Sequence, residues 1–85
     1  MKTYTIEERD CTAAEIATYE KVEKIMSALS DTEYIWISIA ATRFYFTSPC
    51  DDIDWMDYYK AVTEYAMRYS LKVSDIVAWA LIQTA

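Results

Sequence analysis

The chain has 85 residues, 54% of them hydrophobic, a net charge of −6, and neither glycine nor histidine. Its length and composition predict one folded domain over residues 1–85. Phosphate-cradling loops and dinucleotide-binding fingerprints need glycine, and histidine is the commonest general base and metal ligand. We therefore expect no enzymatic activity, no cofactor and no metal site.

The N-terminal residues 1–10 are compatible with a short edge strand or with a loose arm, because Tyr4 and Ile6 alternate with polar neighbours. A first helix is predicted after them, since Thr12 and Glu15 have the spacing of a capping box. An apolar stripe with helical spacing follows: Ile16, Tyr19, Val22, Ile25 or Met26, and Leu29.

The next segment, residues 34–47, carries conflicting signals. Its content of Ile, Tyr, Phe, Trp and Thr favours a strand. Its length of about fourteen residues exceeds that of most strands, and Ser30 with Glu33 repeats the capping-box spacing before it. We predict a helix; the alternative is an α+β fold in which residues 34–47 form a strand that pairs with residues 3–7. Apolar side chains occur all round in either state, so we expect this element to be buried on every side.

Two further helices are predicted. Residues 48–51 (Ser-Pro-Cys-Asp) are a helix-start signal, because the serine can cap, the proline suits the first turn and the aspartate complements the helix dipole. This third helix should end near Tyr69 or Ser70. A fourth helix over residues 74–83 is nearly apolar all round. The expected fold class is therefore mainly α: a compact bundle of about four short helices, with or without a short N-terminal strand.

Acidic residues form two clusters near predicted helix starts. The first cluster contains Asp51, Asp52, Asp54 and Asp57, and the second contains Glu7, Glu8 and Asp10. The plainest interpretation is that these carboxylates complement the helix dipole. A calcium loop is disfavoured because it needs a glycine at its sharp turn. Alternatively, the two clusters form an electrostatic face that meets a protein partner with a basic surface.

The two cysteines, Cys11 and Cys50, are far apart in the chain. Cys50 follows a proline at a predicted helix start, where a thiolate would be stabilised, but the flanking Asp51 and Asp52 oppose thiolate formation. We expect both thiols to be unreactive and reduced, as in a cytoplasmic protein. The polar first ten residues, which are unlike a secretory signal, agree with that localisation.

Eight tyrosines give the chain an aromatic surplus. Tyrosine is enriched at interfaces because its ring can be buried while its hydroxyl stays hydrated, although core packing is the commoner use. Tyr58 and Tyr59 are adjacent and cannot share one helical face, so at least one should lie at the rim of the core or outside it. We include both, with the two acidic clusters, among the candidate partner-binding residues.

The segment 65–81 resembles a helix-turn-helix unit. The positions where that unit keeps its core residues are occupied by Ala66, Tyr69, Leu71, Ile76 and Trp79. Ser70, however, stands at the turn where glycine is usual, and Lys72 is the only cation available to meet phosphate. The would-be recognition positions, which should read base edges, are Val73, Ser74, Val77 and Ala78. We interpret the segment as two packed helices, and a degenerate helix-turn-helix regulator is our third functional hypothesis.

The net charge of −6 disfavours direct binding to nucleic acid and to anionic membranes. The longest apolar run, residues 34–46, is shorter than the roughly 20 residues of a membrane-spanning helix. Our leading hypothesis is a small acidic inhibitor or adaptor. Its most concrete form is a phage-type, anti-CRISPR-like nucleic-acid mimic that occupies the basic surface of a defence enzyme. The second hypothesis is a self-associating structural module, such as a homodimer formed through the last helix and the tyrosines.

Overall fold

A hairpin, four helices and a short final strand make up the residues that a computed structural model describes, namely 3–7, 9–46 and 55–84. In chain order the elements are β1 (Tyr4–Ile6), β2 (Arg9–Asp10), α1 (Ala13–Met26), α2 (Asp31–Phe46), α3 (Trp55–Arg68), α4 (Val73–Leu81) and β3 (Gln83–Thr84). The prediction of a mainly α fold is confirmed, and the N-terminal strand is present.

Side-chain caps begin the first two helices where the sequence pattern predicts them. The Thr12 hydroxyl accepts a hydrogen bond from the Glu15 amide at 3.2 Å, and the Glu15 carboxylate accepts one from the Thr12 amide at 2.9 Å. The Ser30 hydroxyl likewise accepts a hydrogen bond from the Glu33 amide at 3.2 Å. These bonds satisfy amides that a helix N-terminus leaves open, and each cap contributes about 1 kcal/mol of stability.

The second helix, α2, occupies the segment whose state was ambiguous, so the alternative of a strand over residues 34–47 is wrong. Ile37, Ala40 and Ala41 are fully buried, at the spacing of one helical face. Packing of this face into the core outweighs the strand preference of the individual residues.

The prediction that this element is buried on every side is also wrong. The outward face of α2 leaves Ile35, Trp36, Ile39 and Phe46 between 40% and 66% exposed. Its neighbours α3 and α4 pack against the inward side of the helix, and at the edge of the outward side the Trp36 ring lies 6.3 Å from the Tyr58 ring of α3. The rest of the outward side stays exposed among the described residues.

The core lies where the inward faces of the four helices meet, since α2 packs against both α3 and α4, and α4 also packs against α1. The largest fully buried side chains are Met26, Ile37, Ile76, Val22 and Val62. The apolar stripe predicted for α1 is confirmed from Tyr19 onward, because Val22 and Met26 are buried and Tyr19, Ile25 and Leu29 pack at the edge of the core. Its first member, Ile16, is half-buried and outside this cluster, and Leu29 follows the end of the helix.

The chain termini meet in a three-stranded antiparallel sheet in which β1 lies between β2 and β3. The predicted extension of the last helix to Gln83 is wrong, because α4 ends at Leu81 and Ile82 has an extended backbone. Residues Gln83–Thr84 instead pair with β1, whose edge would otherwise carry unpaired backbone groups.

A Schellman motif ends α3. The Leu71 amide donates to the Ala66 carbonyl at 2.8 Å, and the Ser70 amide donates to the Met67 carbonyl at 3.4 Å. Ser70 has a φ of 56°, in the left-handed region that glycine normally occupies. The predicted end of the third helix agrees with this position, whereas its predicted start at residues 48–51 lies outside the described residues.

Candidate functional site

A carboxylate on α1 joins three helices. Glu23 accepts hydrogen bonds from the Tyr34 hydroxyl at 2.9 and 3.0 Å and from the Trp79 indole nitrogen at 2.6 Å. Burial, together with the bond to Glu23, raises the pKa of Tyr34 to about 12. Sequence reasoning did not single out Glu23, although its place beside Val22 in the apolar stripe is a signal that it borders the core. These groups stabilise the fold and are not available to a partner.

The hydroxyls of Tyr58 and Tyr65 also have partners within the protein. Tyr65 donates to Glu33 at 2.9 Å, and both burial and this carboxylate raise the pKa of Tyr65. Arg43 donates to the Tyr58 hydroxyl at 2.9 Å, and its guanidinium lies 5.8 Å from the centroid of that ring. Much of the aromatic surplus therefore serves contacts between α2 and α3.

The adjacent tyrosines Tyr58 and Tyr59 lie on different faces of α3, as predicted. Tyr58 is 8% exposed and Tyr59 is 39% exposed. Of these two candidate residues, Tyr59 is the one whose ring a partner can reach in this conformation.

The C-terminal end of α2 brings the hairpin close to the start of α3. The Tyr45 hydroxyl donates to the Glu7 carboxylate at 2.7 Å, and the ring centroids of Phe44 and Tyr59 are 5.6 Å apart. Asp57 precedes Tyr59 by two residues. Glu7 and Asp57, which come from different acidic clusters, are therefore carried by two elements that both contact the C-terminal end of α2.

Three predicted carboxylates are described by the structure, and all of them are exposed: Glu7, Asp10 and Asp57. We call these three residues the acidic end. The other four predicted carboxylates, Glu8, Asp51, Asp52 and Asp54, lie outside the described residues. Sequence reasoning missed Tyr45, which links the hairpin to α2, because its partner is 38 positions away.

Glu7 itself has an unusual backbone conformation. Its φ is 49°, and it follows the paired residue Ile6 in a hairpin whose next paired residue is Arg9. Glycine and asparagine adopt a positive φ more readily than glutamate does. The hydrogen bond from Tyr45, which raises the pKa of Tyr45, fixes this glutamate against α2.

The ion-pair partner of Arg9 is a carboxylate outside the acidic end. The Arg9 guanidinium donates to both oxygens of Glu15 at 2.9 and 2.8 Å. These bonds, together with the Thr12 amide, lower the pKa of Glu15 to about 2 and raise that of Arg9.

A groove of about 470 Å³ runs between the hairpin, the end of α2 and α4. The α4 residues that line it include the would-be recognition positions of the helix-turn-helix resemblance: Val73, Ser74, Val77 and Ala78. They face Ile6 and Phe44 across the groove. The turn at Ser70 has the backbone that the resemblance implies, but the apolar character of this face does not suit the reading of base edges.

Other candidate chemistry finds little support in the part of the chain that the structure describes. No group of three or more Cys, Asp or Glu side chains there could hold a metal ion, and no helix there has the length and apolar character needed to cross a bilayer. Cys11 has a free thiol whose pKa is raised by burial and by Glu15. Cys50 lies outside the described residues.

The chain matches no protein-family model, no curated protein and no solved structure at a significant level.

Proposed function

We propose that this chain is a small acidic protein-binding domain that acts as an inhibitor or adaptor by covering a basic surface of its partner. The observation that carries the proposal is the acidic end. The Tyr45 hydroxyl bonds to Glu7 and the Phe44 ring packs on Tyr59, so the hairpin that carries Glu7 and Asp10 and the first turns of α3 that carry Asp57 both contact the C-terminal end of α2.

Electrostatics and preorganisation both favour this role. Exposed carboxylates on a chain of net charge −6 attract a basic surface over a long range and accelerate encounter with it. Because Tyr45 already fixes Glu7, less conformational entropy is lost there on binding. The half-exposed ring of Tyr59 adds a rigid aromatic group of the kind that contributes strongly to interfaces.

The most concrete form of the proposal is a phage-type inhibitor, anti-CRISPR-like in its action, that blocks the nucleic-acid-binding surface of a defence enzyme. Such a surface is basic because it holds phosphates, and carboxylates can occupy the same cationic sites. The size and charge of the chain support this form. It requires that nucleic acid and this protein compete for one surface.

The test compares two variants with the same change in net charge. The first replaces the acidic end: Glu7→Gln, Asp10→Asn and Asp57→Asn. The control replaces three exposed carboxylates elsewhere: Glu20→Gln, Asp31→Asn and Glu64→Gln. Each tagged protein is used to capture partners from the native host, and affinity for the partner found with the wild type is then measured. We expect the first variant to bind at least about tenfold more weakly, and the control to bind as the wild type does.

An equal loss in both variants would point to net charge alone, and no loss in either would overturn the proposal. The fourfold change of Asp51, Asp52, Asp54 and Asp57 to Asn tests the rest of the first cluster in the same way. For the inhibitor form, an oligonucleotide that the partner binds should displace the protein. Simultaneous binding of both would contradict that form.

A further inference from the structure

The outward face of α2 is an apolar surface that, apart from the contact of the Trp36 ring with Tyr58, is not covered by another element of the described chain. Ile35 is 55% exposed, Ile39 is 40% exposed and Phe46 is 66% exposed, with Trp36 beside them at 42%. A soluble monomer rarely exposes a contiguous apolar patch of more than a few hundred Å². We call Ile35, Ile39, Thr42 and Phe46, with Trp36 at their edge, the α2 face.

The spacing along this face is that of a helix-pairing seam. Ile35, Ile39, Thr42 and Phe46 follow one another at intervals of four, three and four residues. This alternation keeps one narrow stripe aligned with a second helix, as in the core positions of a coiled coil. The pattern therefore favours a helical partner that runs along α2.

The polar groups on this side of α2 are already satisfied by the helix itself. The Thr42 hydroxyl donates to the Ser38 carbonyl at 2.8 Å, and the Ser38 hydroxyl donates to the Ile35 carbonyl at 2.9 Å. Burying a hydroxyl costs free energy chiefly when it loses its hydrogen bond. The α2 face can consequently be removed from water without leaving these two hydroxyls unpaired.

Charge decides which partner suits the face. Residues 34–46 contain no carboxylate, and their one charged residue is Arg43, which bonds to Tyr58 at the edge of the face. Two copies of a protein with net charge −6 repel each other over most of their surface. The α2 face is a place where two copies can approach without opposing one carboxylate to another. A basic partner, in contrast, would find no complementary charge there.

We propose that the α2 face is the interface of a homodimer in which the α2 helices of two copies pack antiparallel across a twofold axis. In that arrangement Ile35 of each copy lies towards Phe46 of the other, and the central Ile39 and Thr42 meet near the axis. A depression of about 340 Å³, lined by Ser38, Ile39, Thr42, Arg43 and Ala80, receives side chains of the facing helix. This inference is independent of the acidic end and of the function proposed for it.

The area is sufficient for a modest interface. A large aromatic side chain buries roughly 150–250 Å², so the exposed parts of the four apolar side chains amount to roughly 400 Å² per copy. Two copies then bury roughly 800 Å² of apolar surface, and the flanking Ser38, Thr42 and Arg43 bring the total near ~1,000 Å², which is the lower limit for a specific interface and fits a weak, reversible dimer.

The test is the mass in solution, by analytical ultracentrifugation, of the full chain and three variants. Ile39→Lys and Ile35→Lys each bury a charged ammonium group in the apolar interface, whereas Met67→Lys makes a comparable change on the outward face of α3, where Met67 is 77% exposed. We expect the wild type and Met67→Lys to be dimers, and both isoleucine variants to be monomers with unchanged far-UV circular dichroism. A monomeric wild type at millimolar concentration, or a dimer retained by either isoleucine variant, would overturn the proposal.

The effect of salt distinguishes dimerisation through the α2 face from binding through the acidic end. Added salt screens the repulsion between two copies of net charge −6, so the dimer fraction should rise with ionic strength. Binding through the acidic end should weaken over the same range. A dimer that dissociates as salt is added would contradict packing through the α2 face, without bearing on the proposed function.

Discussion

The indole nitrogen of Trp79 donates a 2.6 Å hydrogen bond to the carboxylate of Glu23, 56 positions earlier in the chain. The same carboxylate accepts hydrogen bonds from the Tyr34 hydroxyl, and the Tyr34 and Trp79 rings meet edge to face at 5.3 Å. One side chain of α1 is thereby bonded to both α2 and α4. Because two donors share this acceptor, replacement of Glu23 should destabilise the fold more than replacement of any other carboxylate in the described structure.

Replacement of Glu23 by alanine tests this relationship. The change leaves the Trp79 N–H and the Tyr34 hydroxyl, both partly buried, without their acceptor. Hydrogen bonds to charged groups contribute about 1.5–3 kcal/mol, so the free energy of unfolding should fall by about 2–3 kcal/mol. Urea denaturation followed by circular dichroism measures the difference.

Glu20→Ala is the matched control, because Glu20 is an exposed glutamate on the same helix. We expect that variant to stay within about 0.5 kcal/mol of the wild type. Similar stabilities of the two variants would contradict the role assigned to Glu23.

The left-handed conformation of Ser70 predicts that glycine would stabilise the protein. With a φ of 56°, Ser70 carries the steric cost that glycine avoids, and its side chain is exposed. Relief of that cost exceeds the extra entropy of glycine in the unfolded chain, so Ser70→Gly should raise the free energy of unfolding by about 0.5–1 kcal/mol. Thermal and urea unfolding both report the change.

Ser27→Gly makes the same substitution where φ is −67°, at the end of α1. There no strain is relieved, and stability should fall by about 0.5–1 kcal/mol. The prediction for Ser70 fails if both variants change stability in the same direction.

Local signals predict the helices well and the long-range contacts poorly. The capping box at Thr12 and the serine cap at Ser30 involve residues three apart, so the sequence alone locates the starts of α1 and α2. The pairing of Gln83–Thr84 with β1 joins the two ends of the chain, and no local pattern in those two residues distinguishes a strand from a continued helix. The local apolar pattern alone therefore predicts that α4 continues to Gln83, beyond its observed end at Leu81.

The candidate binding surfaces show the same difference between features that local sequence predicts and features that depend on tertiary packing. Adjacent positions are enough to predict that Tyr58 and Tyr59 point to different sides. The exposure of the α2 face was not predictable, because an apolar pattern on all sides of a helix indicates burial but does not say whether its own chain or another provides the cover. The contact of Tyr45 with Glu7 likewise depends on the tertiary packing of the hairpin.

The pair of Arg9 and Glu15 predicts acid sensitivity. Because the folded state lowers the pKa of Glu15 from 4.5 to about 2, the stability that this pair contributes is present above about pH 4.5 and is lost as the pH falls towards 2. Melting temperatures measured across this range should fall for the wild type. Glu15→Gln should show a shallower fall, whereas Glu20→Gln should keep the wild-type slope; equal slopes in all three proteins would refute the prediction.

The raised pKa of Tyr34 predicts sensitivity at the alkaline end. Its pKa rises from 10 to about 12 in the folded state, since the hydroxyl is buried and donates to Glu23. The unfolded chain therefore releases this proton first, and the stability that depends on it is complete below about pH 10 and lost as the pH rises through 12.

Tyr34→Phe should lower stability at neutral pH and make the decline between pH 10 and 12 shallower. Unfolding by urea at a series of pH values measures these slopes, and a Tyr34→Phe protein with the wild-type alkaline slope would show that another group governs the transition.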